Sequence, residues 1–282
     1  LGDVYKRQVN ETFADIKVLG DFKTNEDYMP YFHSLKKNCV TGYTYASIVG
    51  GQTANTEFEL LTGNTLGFLS AGTTAFQLYI HGQMPSLVSN LKAEGYSGNK
   101  AMHPFNPYNY NRPAVYKDFG FTDFIDKFDF PKNVKRVREY ISDEANVDRI
   151  ISEYEKNRKK TDQPFYMYNM TIQNHSPYDK DAANFKQPIK IESSKYDAEA
   201  NRYLNLIKYS DDSLKQLTGY FEKCKEPTII LFLGDHQPRL TDEFMNKITN
   251  GQYQTWSSEQ MMKRYQVPVS YTHLRAHETS AH

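Results

Sequence analysis

The sequence predicts an α/β fold, a mostly parallel central sheet flanked by helices. Three observations predict it. Thr228 to Leu233 (TIILFL) is continuously apolar, as a strand buried on both faces requires. Ala198 to Phe221 is a long amphipathic pattern with Leu204, Ile207, Leu214, Leu217 and Phe221 on one face. Before them, strand-like and helix-like stretches alternate, the order that lays strands parallel.

The elements follow in order. Tyr43 to Val49 is rich in β-formers and stops at Gly50-Gly51, so it reads as a strand feeding a tight turn. Thr53 to Leu61 reads as a helix, with Thr56 and Glu59 spaced as a capping box. Pro85 to Glu94 is a second helix: Pro85 suits its first turn, Leu87, Val88 and Leu91 form its apolar face, and Gly95 marks its stop. Tyr96 to Met102 is a short strand. His103 to Pro113 carries Pro104, Pro107 and Pro113 among asparagines and is loop. Val134 to Lys159 is charged and reads as a helix, with apolar rows at Val137, Tyr140, Ile141 and at Val147, Ile150, Ile151. Phe165 to Thr171 is a buried strand.

Composition narrows the function classes. The 282 residues suffice for one large domain or two small ones. Lys+Arg and Asp+Glu are both 34, so no basic field exists to hold nucleic acid. Mean hydropathy is −0.72, yet 22 Tyr and 17 Phe exclude disorder and predict a core built on aromatic rings. No run of 18 apolar residues occurs. Cys39 and Cys224 make neither a disulfide framework nor a metal spacing, and a single bridge between them stays open. The ends break the local character. Leu1 to Gln8 and the stretch from about Val269 to His282, with His273, His277 and His282, resemble translated adaptor sequence. The expected domain is therefore 9–267, truncated at both ends, with 1–8 and 268–282 non-native and packed off the core.

Parallel α/β sheets put their chemistry beyond the carboxyl ends of the strands. The apolar strand ends in Gly234-Asp235-His236, a carboxylate and an imidazole suited to a divalent cation; alone, the tripeptide is equally a turn Asp and a surface His. Thr53 follows Gly50-Gly51-Gln52 at a helix start, where free N–H groups favour anions and a hydroxyl can attack phosphorus; alone, it is equally an ordinary N-cap. His175 follows a strand end in a loop fixed by Pro177, and is otherwise a solvated loop histidine. The proline-rich loop offers His103, Tyr110 and Arg112, of which Arg suits a phosphate and Tyr a flat wall. Glu11, after Asn10, reads alone as a surface acid.

Together these segments say more. Asn10-Glu11-Thr12-Phe13, Gly50-Gly51-Gln52-Thr53-Ala54-Asn55-Thr56-Glu57-Phe58-Glu59, Asn174-His175-Ser176-Pro177-Tyr178 and Gly234-Asp235-His236 occur in an order and spacing that resemble the lipoteichoic acid synthase family of phosphoglycerol transferases, in the alkaline phosphatase and sulfatase superfamily. The resemblance implies Thr53 as nucleophile and metal ligand, with Glu11, Asp235 and His236 completing the ligands of one Mn²⁺ or Mg²⁺. It implies His175 at the substrate phosphate or leaving oxygen, His103 and Arg112 at the substrate phosphate, and Tyr110 as a substrate-binding aromatic beside them. It implies an anionic phospholipid donor, a glycerophosphate polymer acceptor, and a parent protein anchored at the outer face of a bacterial membrane. It also implies late strands beyond Gln266-Val267-Pro268 that the tail replaces. A hydrolase of the same superfamily remains an alternative, though not a formylglycine sulfatase, because Cys39 is followed by Val40-Thr41-Gly42. A non-catalytic glycerophosphate-binding module is a second alternative, which a full set of four metal ligands disfavours.

Overall fold

The computed structural model describes residues 4–192, 197–251 and 253–274. Among them, seven strands form one sheet: β1 (Val4–Asn10), β2 (Cys39–Tyr45), β3 (Ser97–Met102), β4 (Asp123–Ile125), β7 (Phe165–Met170), β8 (Thr228–Gly234) and β9 (Gln266–Leu274). The intervening β5 (Arg136–Val137) and β6 (Tyr140–Ile141) make a separate hairpin. Across the sheet the order is β2-β9-β8-β1-β7-β3-β4. The run from β8 to β4 is parallel, and β9 lies antiparallel to both β8 and β2. The sheet is therefore mixed and mostly parallel.

Alternation along β7 shows how the core is divided. Tyr166, Tyr168 and Met170 face one layer, where they meet Phe58 and Leu61 of α2 (Thr53–Thr62), Phe76 of α3 (Ala75–Leu78), Val88 of α4 (Leu87–Ala93) and Val115 of α5 (Arg112–Asp118). Phe165 and Met167 face the other, against α6 (Asp143–Arg158) and the end of α7 (Ala198–Phe221). On that side α7 also packs with α1 (Pro30–Ser34) and α8 (Asp242–Ile248) around Phe13, Tyr203 and Phe232. A short α9 (Ser258–Met262) precedes β9. Tyr28, Tyr116, Tyr166, Tyr168 and Tyr203 are all fully buried, so the core does lean on aromatic rings.

Several expectations need correction. The strand expected at Tyr43–Val49 is Cys39–Tyr45, an edge strand held by β9; residues 46–52 are its exit loop. The Thr56–Glu59 capping box does not form, because Thr56 Oγ1 donates instead to the Asp235 carbonyl at 2.8 Å and Glu59 accepts from Ser47 and Leu66. Helix α4 is capped by Ser86 with Ser89, and Pro85 lies just outside it. Residues 134–141 form the β5–β6 hairpin rather than the start of α6, turning at Arg138 with φ +55°. The described parts of the two ends, 4–8 and 268–274, do not lie off the core. β1 sits in the middle of the sheet between β7 and β8, and β9 is paired on both sides, with Val9, Val267, Ser270 and Thr272 buried. Both segments are held in the sheet by ladder pairing with a strand on either side, whatever their local composition. His273 lies in β9; His277 and His282 lie outside the described residues. Cys39 and Cys224 are not bridged to each other.

Candidate metal and phosphate site

Two strand ends and one helix start meet at the carboxyl edge of the sheet. Glu11 follows β1, Asp235 and His236 follow β8, and their ligand atoms lie within 4.8 Å of one another, all buried. The cluster is tightly braced. Thr12 N–H donates to Asp235 Oδ1 at 2.6 Å, with Thr12 itself at φ +49°. A β-branched residue in that conformation costs about 1–3 kcal/mol, which the surrounding contacts must offset. Glu11 Oε1 accepts from Thr12 Oγ1 at 2.7 Å. His236 Nδ1 donates to the Gln237 carbonyl at 3.0 Å, which aims Nε2 at the carboxylates, 3.2 Å from Asp235 Oδ2 and 3.8 Å from Glu11 Oε1. That Nε2 is buried and makes no hydrogen bond. Burial raises the Asp235 carboxyl to about 6; neighbouring Glu11 raises it too, while His236 and the hydrogen bond from Thr53 oppose. Two carboxylates and an unsatisfied imidazole nitrogen, sealed together, fit a divalent cation with oxygen and nitrogen ligands.

Thr53 reaches this cluster through a sharp backbone path. Gly50, Gly51 and Gln52 have φ of +70°, +149° and +62°, and Gly50 N–H donates to the Gln237 carbonyl at 3.0 Å. The turn that delivers Thr53 is thus pinned to the loop that delivers His236. Thr53 Oγ1 donates to Asp235 Oδ2 at 2.8 Å and lies 3.4 Å from Glu11 Oε2. It stands at the start of α2, where free N–H groups point toward any anion above it.

The cluster floors a pocket of about 90 Å³. His103, Tyr110, Arg112 and His175 line it, as do Phe105 and Arg239, which the sequence did not single out. His103 Nδ1 donates to the Met170 carbonyl at 3.0 Å; burial, with Arg112 nearby, pushes its pKa well below the usual range. The ring is therefore neutral at pH 7 and turns Nε2 away from that carbonyl. Arg112 is buried. Burial opposes its charge, but the Glu57 carboxylate outweighs this and raises its pKa, accepting Nη2–H at 2.6 Å and Nε–H at 3.1 Å. Tyr116 hydroxyl donates to the other Glu57 oxygen. The guanidinium carbon sits 5.1 Å over the Tyr110 ring. His175 is exposed at the rim, its Nδ1 donating to the Ser176 carbonyl at 2.6 Å and its ring stacked on Phe105 at 6.4 Å. All eight residues singled out in the sequence come together. Glu57 was visible only as part of the Gly50–Glu59 motif, and nothing in sequence marks Phe105 or Arg239.

The Sulfatase family model matches residues 9–269. The chain belongs to the sulfatase family. Within that family it is similar to lipoteichoic acid synthase-like proteins. It is 35% identical to a putative cyclic β-1,2-glucan modification protein of Rhizobium meliloti, over 82% of this chain and 35% of that protein. It is 27% identical to a lipoteichoic acid synthase-like protein of Bacillus subtilis, over 78% of this chain and 34% of that one. The chain thus spans about a third of the length of these curated relatives. In fold, it superposes on a phosphoglycerol transferase of Streptococcus pyogenes, solved with sn-glycerol-1-phosphate, with TM-score 0.79 and 19% identity, covering 100% of this chain and 70% of that one. No helix among the described residues is long and apolar enough to cross a membrane.

Proposed function

We propose that this chain carries the catalytic domain of a phosphoglycerol transferase. It would move glycerol phosphate from a phosphatidylglycerol-type lipid to a polymer hydroxyl through a glycerophospho-threonine intermediate. The observation that carries this reading is Thr53 Oγ1, 2.8 Å from Asp235 Oδ2, at the junction of a buried acidic cluster and a basic pocket. One Mn²⁺ or Mg²⁺ held by Glu11, Thr53, Asp235 and His236 would lower the Thr53 hydroxyl pKa and offset phosphate charge.

The side chains divide the remaining work. Asp235 Oδ2 holds the hydroxyl hydrogen and so directs an Oγ1 lone pair toward the pocket. Arg112, fixed by Glu57, meets the phosphoryl oxygens and stabilises charge that develops there. In the first half-reaction the Thr53 Oγ1–P bond forms and the P–O bond to diacylglycerol breaks. The threonine proton passes toward Asp235, and His175 Nε2 gives a proton to the leaving oxygen. In the second half, an acceptor hydroxyl attacks phosphorus, His175 takes its proton and Thr53 regains its own. The relatives named for glucan modification and for lipoteichoic acid synthesis support a polysaccharide or glycerophosphate polymer as acceptor. The same proposal sets the reaction at the outer face of a bacterial membrane, with the parent protein anchored there.

The test is Thr53→Ala. It should abolish turnover of a phosphatidylglycerol analogue and keep a native melting profile. Acid-quenched wild-type protein should carry one glycerophosphoryl group on Thr53. Full activity in Thr53→Ala would remove the reading, and diacylglycerol release without acceptor labelling would make the enzyme a phosphodiesterase.

A further inference from the structure

One stretch of this chain departs from the rest in charge. Between Glu59 and Lys92 there is no Asp, Glu, Lys or Arg, in a chain that is 24% charged. Most of that stretch is not core. Phe68 is 92% exposed, Leu78 59% and Tyr79 49%. Scattered single exposed apolar residues are ordinary, but a long charge-free segment displaying several together marks an interaction surface.

The segment is fastened to the catalytic helix. Asn55, two residues after Thr53, donates from Nδ2 to the Thr73 carbonyl at 2.7 Å and accepts from Ala75 N–H at 2.9 Å. Gln52, which lines the reaction pocket, donates to the Gly72 carbonyl at 3.4 Å. Helix α3 packs on α2 and on the Asn109–Asn111 turn, whose Tyr110 lines the same pocket and whose neighbour Tyr108 is 78% exposed. The segment that carries Phe68, Leu78 and Tyr79 is thus tied to Gln52, Asn55 and the Tyr110 turn, the elements that build the pocket Thr53 serves.

We infer that residues 60–91, with Tyr108, form a lip that seats in a lipid bilayer surface and presents the pocket to headgroups. The charge pattern selects this partner. A protein partner of ordinary composition would be met by a polar, charged rim and arginine anchors. A headgroup–acyl boundary instead penalises charge and takes up Phe and Leu, with Tyr at headgroup level. Without basic residues, the contact rests on apolar burial and is only weakly screened by salt. This inference rests on the lipid-donor reading for its use, but membrane binding is measurable without turnover.

The experiment uses vesicles of phosphatidylcholine with phosphatidylglycerol, and of phosphatidylcholine alone. The Phe68→Ser/Leu78→Ser/Tyr79→Ser variant changes only exposed side chains. It should sediment with vesicles roughly tenfold less than wild type, at low and at high salt. Its hydrolysis of a short-chain, water-soluble phosphodiester should be unchanged, while its turnover of vesicle-embedded lipid falls. Phe68→Trp should be quenched by brominated acyl chains, with the wild-type protein and its native Trp256 as control. Vesicle binding by wild type that the triple variant retains would overturn the inference. So would loss of self-association, or of binding to another protein, in place of vesicle binding. A protein inactive on every lipid that still binds vesicles through the lip would sink the transferase reading and leave this one standing.

Discussion

Glu57 and Arg112 form a buried ion pair that ties the helix of Thr53 to the start of α5. Glu57 lies one turn along α2 from Thr53, and its Oε1 accepts two guanidinium hydrogens at 2.6 and 3.1 Å. Both side chains are essentially inaccessible, at 0% and 2%. Tyr116 braces the carboxylate from the opposite side. Thr53 and Arg112 are therefore held in one braced unit.

The first prediction concerns that pair. Glu57→Gln keeps the shape but leaves the Arg112 charge buried with no counter-charge. Breaking such a pair costs about 3–5 kcal/mol. The guanidinium would swing to find other acceptors, so the variant should lose stability and show a raised KM for a phosphodiester with a smaller loss in kcat. Urea unfolding together with steady-state kinetics checks it; wild-type KM would show that Glu57 does not position Arg112.

A second prediction concerns the cation. Adding Mn²⁺ should raise the melting temperature of the wild-type chain, since binding to the folded state at a hundredfold excess over Kd is worth about 2.7 kcal/mol. Asp235→Ala and His236→Ala should each lose most of that shift, and calorimetry should show weakened Mn²⁺ binding. Chelation should return wild type to its starting melting point. Unchanged binding in both variants would refute the ligand assignment.

How much of this was legible in sequence depends on where the determining forces lie. β8 and α7 were readable because each carries its own hydrophobic pattern, and Gly234-Asp235-His236 was readable because it hangs on β8. β2 was misplaced because its existence depends on pairing with β9, more than two hundred residues away. Thr56 looked like a cap because its spacing to Glu59 is local, whereas its hydroxyl is taken by the Asp235 carbonyl. The β5–β6 turn hides in a charged stretch because Arg138 supplies the positive φ usually marked by glycine. Of the site residues, the polar motif members were found; Arg239 and Phe105 reach the pocket through tertiary packing alone.

A third prediction follows from Gly234, which sets Asp235. A Cβ built there would lie 1.9 Å from the Phe13 carbonyl oxygen, a backbone atom that cannot swing aside. Gly234→Ala should destabilise the chain by about 1–3 kcal/mol or more as overpacking. It should also displace Asp235 and cost the Mn²⁺-dependent melting shift, with weakened Mn²⁺ binding by calorimetry at temperatures where the variant remains folded. A normal metal-dependent shift in Gly234→Ala would show that the close approach does not control the site.

The last prediction is a pH dependence set beneath the site. Asp143 is fully buried, and its Oδ2 accepts from Asn10 Nδ2 at 2.9 Å and Ser210 Oγ at 2.6 Å. Burial, outweighing those hydrogen bonds, raises its pKa from 3.8 to about 6. The folded state therefore keeps a proton that the unfolded chain has released. Stability falls as pH rises from about 4 to about 6, and the loss is complete above that window. Two pKa units set an upper bound of about 3 kcal/mol. Asp143→Asn keeps an oxygen to accept both hydrogen bonds and removes the buried charge. It should flatten that slope and make the chain more stable near neutrality, by a gain absent at about pH 4. Asp211 and Asp235, also raised to about 6 by burial, add slopes of the same sign, so the Asp143→Asn/Asp211→Asn double variant should lose more of the slope than either single variant and keep the share that Asp235 contributes. Urea unfolding across the window measures it; a double variant with the wild-type slope would place the titration elsewhere.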